Sequence, residues 1–335
     1  MSKKKQLSEQ VLVITGASSG IGRATAKMAA ACNARVVLVA RSGDELERVV
    51  REIEEAGGSA ASFVGDVSKP EDMLAAAHFA VERYGRIDTW VNNAGISVYG
   101  KLRDIPLEDQ RRVFDVTFWG IVYGTMAALP HLGRSRGTLI NIGSEVSSMP
   151  GPLQGPYTAA KHAVAGWTDV LRIELEREQM PIAVTLIRPA GIDTPYFKHA
   201  KNLTEHEPTP PPPVYAPELV AEAILHCAVN PKRDMTVGGG AKAMIGLHQR
   251  APRLDDKLQK RMMFKAQQSA SPPQRARSGS LYEPAGPFAV SGGYGGRRRS
   301  LYTGLRLHPW ASLFGFAAIG AAVAAASERP AKESF

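Results

Sequence analysis

A strand-like run that leads directly into a glycine-rich turn and a helix constrains the fold of this chain more than any other feature. Gln10–Ile14 is short and rich in β-branched residues, Thr15–Gly22 reads TGASSGIG, and an alanine-rich helical stretch follows. Glycines at 16, 20 and 22 allow a ligand close to the backbone, and the start of a helix attracts negative charge. The segment suits a bound pyrophosphate. Taken alone, it suits a simple positive-φ turn equally well.

The pattern continues along the first 240 residues, where short apolar runs alternate with helical segments. Such alternation predicts one α/β catalytic domain, a Rossmann-like doubly wound parallel sheet of about seven strands flanked by helices, with right-handed crossovers. Strands are predicted at 10–15, 35–40, 60–64, 87–92, 137–142, 181–188 and 235–238. Helices are predicted at 20–31, 42–57, 70–85, 107–133, 157–179 and 216–229.

Three polar residues indicate acid–base chemistry. Tyr157 and Lys161 lie four positions apart, hence on one helix face, and Ser144 ends the buried strand-like run Thr138–Ile142. A phenol has a pKa of about 10, and a neighbouring ammonium stabilises the phenolate and lowers that pKa. The set suits proton transfer to or from a carbonyl or alcohol oxygen. The Tyr–Lys pair alone is weak, because solvated helix faces carry it often.

With these motifs assembled, the chain resembles the short-chain dehydrogenase/reductase family. The matches are Thr15–Gly22, Asn92–Gly95, Ser144 and Tyr157–Lys161, in the family's order and spacing over roughly residues 8–240. The resemblance implies an oxidoreductase that transfers hydride between a nicotinamide cofactor and the carbon of a CH–OH or C=O group.

The resemblance also implies roles for individual residues. Tyr157 would be the acid or base, Ser144 would hydrogen-bond the reacting oxygen, and Lys161 would contact the nicotinamide ribose. The expected catalytic residues are Ser144, Tyr157 and Lys161. The expected cofactor-binding residues are Gly16, Ser18, Ser19, Gly20, Ile21, Gly22, Arg41, Asp66, Val67, Asn93, Ala94, Gly95, Tyr157, Lys161, Pro189 and Thr194.

Charge at the end of the second predicted strand bears on which cofactor is used. An acidic residue there would accept hydrogen bonds from the ribose hydroxyls of NAD. This strand ends in Ala40 and is followed by Arg41, whose guanidinium can hold a 2′-phosphate. A solvated arginine is the structural alternative. We expect NADP(H) rather than NAD(H).

Two positions depart from the family pattern. The family usually has an asparagine within a stretch like Asp-Val-Asn, where this chain reads Asp115-Val-Thr117. Thr117 keeps a hydroxyl but loses the amide's separate donor and acceptor, so it is not included among the catalytic residues. Ala190 stands where the family usually has glycine after proline, which affects the local turn rather than the role of the loop.

The substrate is poorly encoded. Residues between Ser144 and Tyr157 should line its pocket, including Met149, Pro150, Leu153 and Gln154, although Met149 and Leu153 suit packing equally well. By resemblance, residues 196–215 should form a substrate lid. We expect an apolar small molecule. The eight histidines and two cysteines show no metal-ligand spacing, so no metal is expected.

Composition divides the chain into three parts. Residues 1–250 form the predicted catalytic domain, 251–306 a surface helix plus a flexible basic Ser/Pro/Gly/Arg-rich linker, and 307–335 an apolar Ala/Gly-rich segment. Residues 265–306 carry seven Lys or Arg and one Glu, a net +6 of the chain's formal +9. The catalytic domain is therefore near neutral, and nucleic acid is not an expected partner.

The last segment includes a 17-residue uncharged stretch, Trp310–Ala326, of which eight residues are alanine. A membrane span needs about 20 apolar residues, and about 17 is the lower limit. The stretch is just long enough to be a candidate membrane anchor, and a peripheral or protein-packed helix is the alternative. Membrane contact would occur through this C-terminal segment, with the domain in the cytoplasm or tethered to the cytoplasmic face of the membrane.

The predicted function is an NADP(H)-dependent oxidoreductase of a small carbonyl or alcohol substrate. The alternative is a nucleotide-binding regulatory or scaffold protein whose catalysis has lapsed, a reading that only Thr117 favours. The family also leads us to expect a homo-oligomer, with helices 107–133 and 157–179 at the subunit interface.

Overall fold

The computed structural model describes residues 5–270 and 279–307. Within these residues, the strands are β1 Val11–Thr15, β2 Arg35–Ala40, β3 Ser59–Val64, β4 Thr89–Asn92, β5 Val98–Tyr99, β6 Thr138–Ile142, β7 Ala183–Pro189, β8 Lys201–Asn202 and β9 Asp234–Val237. The longer strands are buried because both faces of the sheet are covered, and this explains their continuous apolar sequences.

Seven of these strands form one parallel sheet in the order β3-β2-β1-β4-β6-β7-β9. Strand β1 pairs with β2 on one side and with β4 on the other, with Ile14 opposite Leu38 and Val91. The order of the strands therefore reverses between β1 and β4. In doubly wound sheets a ligand binds at this reversal, beyond the carboxyl ends of the strands. The short strands β5 and β8 form a separate parallel pair.

Helices cover both faces of the sheet. They are α1 Gly20–Ala31, α2 Gly43–Glu55, α3 Pro70–Tyr84, α4 Leu107–Phe114, α5 Gly120–Ser135, α6 Gly155–Arg177, α7 Tyr196–His199, α8 Pro217–Val229, α9 Gly239–Arg250, α10 Pro252–Leu258, α11 Phe264–Ala266 and α12 Leu301–Leu307. Short π-helical segments join α4 to α5 at Asp115–Trp119 and α10 to α11 at Gln259–Met263. Short 3₁₀ turns occupy Leu7–Glu9, Leu102–Asp104 and Glu145–Ser147.

Alternate side chains of the central strand enter different cores. Leu12 and Ile14 belong to the core beneath α1, α2 and α8, whereas Val13 belongs to the core with Trp90 beneath α3, α5 and α6. A period of two along a strand produces this division. The prediction of a Rossmann-like sheet of about seven parallel strands is confirmed, and the predicted strands and helices of this sheet lie within three residues of the observed bounds.

The region after residue 250 differs from the prediction. A surface helix was expected, and α10, the second π-helical segment and α11 occupy 252–266. A flexible linker was expected up to residue 306, but residues 279–297 lie along the α/β domain, and α12 places Leu307 in the core with Leu12. We call residues 279–297 the strap. Its backbone and side chains make many hydrogen bonds to the domain, which composition alone does not reveal.

One helical stretch among the described residues, Leu107–Ser135, is long and apolar enough to cross a membrane, but 56% of its most apolar window is buried inside the domain. The stretch comprises α4, the first π-helical segment and α5, which pack on the sheet as core helices. The candidate anchor at 310–326 and the rest of 308–335 lie outside the described residues.

Candidate active site

The glycine-rich turn after β1 is too crowded for side chains at two of its glycines. A Cβ at Gly16 would lie 2.9 Å from the Cα of Ala94, and a Cβ at Gly22 would lie 2.2 Å from the carbonyl oxygen of Gly16. Gly16 and Gly20 also have positive φ, +66° and +52°. The turn therefore folds tightly, and the start of α1 lines the cavity, where a helix N-terminus suits a pyrophosphate.

The segment after β4 holds this turn in position. The amide of Asn93 donates to the carbonyl oxygens of Thr15 and Gly16, at 2.9 and 3.3 Å. The Thr15 hydroxyl accepts the backbone N–H groups of Asn93 and Ala94. The ends of β1 and β4 are thus joined where the strand order reverses, and Gly95 lies beside them on the cavity wall.

Arg41 lies at the end of β2, where the sequence places a cation and no acid. Its guanidinium donates to the carbonyl oxygens of Ser280 and Tyr282, at 2.6 and 2.5 Å. Burial lowers the pKa of Arg41 from its usual value, and the nearby Asp66 carboxylate opposes that effect. Asp66 itself is paired with Arg112 at 2.7 Å. Arginine keeps its charge at neutral pH in proteins, so Arg41 can receive a phosphate.

The three predicted catalytic side chains meet at the other end of the same cavity. The Lys161 ammonium donates to the carbonyl oxygen of Ile142 at 2.6 Å and lies 5.6 Å from the centre of the Tyr157 ring. Ser144 begins the 3₁₀ turn after β6, and its Oγ accepts the Val146 N–H at 3.3 Å. The Ser144 side chain also hydrogen-bonds the Tyr157 phenol, which places the two hydroxyl groups together at this end of the cavity.

Burial dominates the titration of this site. It raises the pKa of Tyr157 to about 12, an effect that interactions with the Tyr196 and Ser144 side chains oppose. Burial also lowers the pKa of Lys161 to about 7. The sequence argument expected the lysine to lower the tyrosine pKa, but desolvation is the larger effect. The phenol is accordingly protonated at neutral pH.

Thr117, where the family usually has asparagine, is fully buried in the first π-helical segment. Its hydroxyl donates to the carbonyl oxygen of Ile96 and accepts the Ile96 N–H, both at 3.3 Å. A single hydroxyl has one proton, so Thr117 has none left for a water molecule near Lys161. Local helix irregularities of this kind often occur at functional sites.

One cavity contains almost every residue predicted from the sequence. Gly22 is the exception, since it packs beneath the turn. The predicted residues that line the cavity are Gly16, Ser18, Ser19, Gly20, Ile21, Arg41, Asp66, Val67, Asn93, Ala94, Gly95, Ser144, Tyr157, Lys161, Pro189 and Thr194. Thr194 packs against the glycine-rich turn, with its Cγ2 3.1 Å from a Cβ built at Gly20. The crowded turn, the helix start on the cavity wall and the basic side chain together fit a dinucleotide.

The substrate end of the cavity includes Gln267, which lies outside the segments that the sequence predicted to line it. The Tyr196 ring lies 5.3 Å from the Tyr157 ring, and its hydroxyl donates to Gln154 at 3.3 Å. Gln154 in turn donates to Gln267 at 2.6 Å, which joins the C-terminal region to the pocket. Glu145 faces the cavity directly after Ser144, within the segment expected to line the pocket, and burial raises its pKa to about 7.

Met149, Pro150 and Gln154 line the cavity as expected, and the predicted lid contributes Tyr196, Phe197, His199 and Pro211. Leu153 does not line it. Leu153 is buried beside Tyr99 and Phe197, which is the packing role that the sequence left open. In the described parts of the chain, no group of three His, Cys, Asp or Glu side chains is arranged to hold a metal ion.

Comparison with protein families gives a match to the short chain dehydrogenase family over residues 10–205. An uncharacterized oxidoreductase of Bacillus subtilis, YxnA, is 45% identical over 306 residues, which cover 90% of this chain and 86% of that protein. An alignment of that length cannot be contained in residues 1–250, so the similarity reaches into the C-terminal region. A putative oxidoreductase of Mycobacterium tuberculosis, SadH, is 35% identical over 243 residues, or 70% of this chain and 88% of that protein.

Two further relatives carry more specific names. The 11-beta-hydroxysteroid dehydrogenase A of Sesamum indicum is 32% identical over 238 residues, which cover 68% of each protein. Among solved structures, an alcohol dehydrogenase of the archaeon Thermococcus sibiricus, complexed with 5-hydroxy-NADP, superposes with a TM-score of 0.59 at 28% identity. That superposition covers 68% of this chain and 94% of the archaeal one.

Proposed function

The chain belongs to the short-chain dehydrogenase family, and we propose that it is an NADP(H)-dependent oxidoreductase that interconverts an alcohol and a carbonyl on a small apolar molecule. One observation carries the proposal. A single cavity joins the glycine-rich turn and Arg41 at one end to Ser144, Tyr157 and Lys161 at the other. Anion binding and proton transfer are thus arranged along one continuous site.

When bound, the nicotinamide cofactor supplies or accepts the hydride. The chain's own residues handle the proton. In the reductive direction, Tyr157 gives its phenolic proton to the substrate oxygen while the Ser144 hydroxyl hydrogen-bonds the same oxygen. In the oxidative direction, the Tyr157 phenolate takes the proton from the alcohol. Lys161 stabilises this phenolate when the amine is protonated, since an opposite charge nearby favours the ionised form.

The preference for NADP(H) rests on the end of β2. Arg41 lines the cavity beside Ala40 and Ser42, so this strand end offers a cation and no carboxylate. A guanidinium pairs well with a phosphate, whereas the ribose hydroxyls of NAD are best met by an acid. The archaeal alcohol dehydrogenase bound to 5-hydroxy-NADP supports the same choice by similarity.

The walls of the substrate end favour an apolar ketone or secondary alcohol with a hydrogen-bonding group. Met149, Phe197 and Met263 supply apolar surface, and Glu145 and Gln267 supply polar atoms. Mostly apolar pockets with a few polar groups are typical of sites for small molecules. The hydroxysteroid and alcohol dehydrogenases among the relatives support this class of substrate.

We also propose that the protein is a homo-oligomer through α4, α5 and α6. Large apolar side chains are exposed on these helices and on the π-helical segment between α4 and α5, namely Leu107, Trp119, Met126, Val170 and Ile173. Contiguous exposed apolar surface is typical of protein interfaces. Light scattering should give a mass of at least two chains, and a monomeric mass would remove this proposal.

The function is tested by NADPH consumption at 340 nm with a panel of cyclic, aromatic and steroidal ketones. The native chain should oxidise NADPH with at least one apolar ketone, and the reverse reaction should follow with the matching alcohol and NADP⁺. Tyr123→Phe, on α5 and outside the cavity, is the control tyrosine variant and should keep the native rate. If NADPH binds and no carbonyl in a broad panel is reduced, the enzymatic proposal fails and the binding-protein alternative takes its place.

A further inference from the structure

The strap forms part of the cavity wall, and its attachments follow the order of the predicted cofactor residues. Its first residues meet Arg41 at the end of β2. Its middle meets the glycine-rich turn, where Gly20 donates its N–H to the carbonyl oxygen of Ala289 at 2.8 Å. Its last residues meet the loop after β7, next to Thr194. These are the places predicted for the 2′-phosphate, the pyrophosphate and the nicotinamide.

The first attachment orients Arg41. The carbonyl oxygens of Ser280 and Tyr282 accept hydrogen bonds from the two terminal nitrogens of its guanidinium. Leu281, between them, is buried against Val98 and Val113, which fixes this part of the strap to the domain. The strap thus holds the cationic side chain in a defined position at the adenosine end of the cleft.

The second attachment is at α1. The Arg23 side chain is buried and donates to the carbonyl oxygen of Phe288 at 2.7 Å, while it also pairs with Glu52 at 2.6 Å. With the bond from Gly20 to Ala289, two consecutive carbonyl groups of the strap are bound at the start of the helix. The ring of Phe288 lies 6.1 Å from that of His199.

The third attachment is a clasp around one carboxylate. Asp193, which is 5% exposed, accepts the Ser291 hydroxyl at 2.8 Å and the N–H groups of Tyr294 and Gly296 at 2.8 and 3.2 Å. These bonds, which favour the charged form, hold the pKa of Asp193 below its usual value although burial opposes them. A Cβ at Gly296 would lie 2.8 Å from the Cβ of Asp193. The loop therefore closes tightly on the acid.

The strap leaves space beneath it. Ser280, Pro284, Ala285 and Phe288 line the same cavity as Arg41 and the rest of the predicted cofactor residues. The strap carbonyl oxygens accept the Gly20 N–H and two hydrogen bonds from Arg41, yet a cavity remains between the strap and the other predicted cofactor residues. We propose that the strap is the outer wall of the dinucleotide site and encloses bound NADP(H), which enters and leaves only when the Asp193 clasp opens.

This inference rests on the proposed function, since the enclosed ligand is the dinucleotide. Hydrogen exchange of the native full-length chain tests it, with and without saturating NADPH. Strap amides, including those of Tyr294 and Gly296, should become more protected with NADPH. A loss of protection would mean that the cofactor displaces the strap, and unchanged strap protection with bound NADPH would place the strap outside the site. Either result overturns the inference.

Stopped-flow fluorescence supplies the second measurement, as the rate at which NADPH leaves the protein. Asp193→Asn should release NADPH about tenfold to a hundredfold faster, because charged hydrogen bonds of the clasp are lost. Ser291→Ala, which removes one bond and leaves the acid in place, should give a smaller increase in the same direction. Asp169→Asn is the matched control, since that acid binds Arg172 and Arg233 away from the strap.

The two proposals fail differently. If neither clasp variant changes the release rate while NADPH still binds, the enclosing strap is wrong and the enzymatic proposal stands. If the native chain shows neither fluorescence change nor altered exchange with NADPH, the proposed cofactor is wrong, and the strap inference falls with it.

Discussion

The catalytic domain and the C-terminal region are ordered by different interactions. Strands β1, β2 and β4 are held by apolar side chains on both faces, with Leu12, Val13 and Trp90 fully buried. The strap has only one deeply buried large side chain among its described residues, Leu281, and depends on hydrogen bonds between its backbone and side chains of the domain. Helix α12, in contrast, is held by apolar packing, since Leu307 lies in the core.

Because of this difference, the residues that stabilise the fold are distinct from the segment that controls access to the cavity. A sheet that buries its apolar residues opens only with global unfolding, because its contacts are lost together. A segment held by a few polar attachments opens locally at a much smaller free-energy cost. The α/β domain is thus rigid, whereas the strap that bounds its cavity can open locally.

The strongest test of the proposed active site is Tyr157→Phe. The change removes the phenolic proton and little else, so turnover should fall about a hundredfold to ten-thousandfold. NADPH affinity should stay near the native value, as measured by fluorescence. Turnover close to native would show that another group carries the proton.

The packing of the C-terminal region is tested by a pair of leucines within α12. Leu307 is 3% exposed and Leu301 is 82% exposed. Leu307→Ala should lower the free energy of unfolding by about 2–4 kcal/mol, measured by denaturant titration. Leu301→Ala should change it by less than about 0.5 kcal/mol. Equal effects would mean that α12 is not part of the core.

Arg41→Ala probes the point where the two regions meet. Loss of a charged hydrogen bond to the 2′-phosphate should weaken NADPH binding about tenfold to a hundredfold. A looser strap would affect NADPH and NADH alike, so the ratio of the two affinities isolates the phosphate. An unchanged ratio would place the 2′-phosphate elsewhere.

The smallest expected effect is on pH dependence. Glu145 raises the pKa of Tyr157 by charge repulsion, although burial is the larger cause. Glu145→Gln removes that negative charge, which makes the phenolate easier to form. The rise of alcohol oxidation with pH should therefore shift to lower pH, by less than about one unit. Burial raises the Glu145 pKa to about 7, so Glu145 is neutral well below that pH. There the variant and the native chain should oxidise the alcohol at the same rate. A shift to higher pH would contradict the charge argument.

The strands and helices of the domain could be predicted because the local pattern of apolar residues in each segment indicates whether it is buried. Val11–Thr15 is apolar at every position but the last, and a run of that kind must be covered on both faces. The proximity of two of the proposed catalytic residues was predicted for a similar reason, since Tyr157 and Lys161 share one helical turn. Local periodicity and spacing encode both features.

The strap could not be found this way. Its order comes from pairings distant in sequence, such as Arg41 with Ser280 and Asp193 with Tyr294. Its glycines, with positive φ at Gly293 and Gly295, look like those of a flexible linker, yet they let the backbone fold around a carboxylate. Gln267 was missed for the same reason, because its partner Gln154 lies 113 positions earlier.

The most direct test of the account is a fluorescence titration of the native chain with NADPH and with NADH. The account predicts saturable binding of NADPH at least about tenfold tighter than that of NADH, the difference expected for one charged phosphate contact. Equal affinities would contradict the role of Arg41. Failure of both dinucleotides to bind would contradict the dinucleotide site itself.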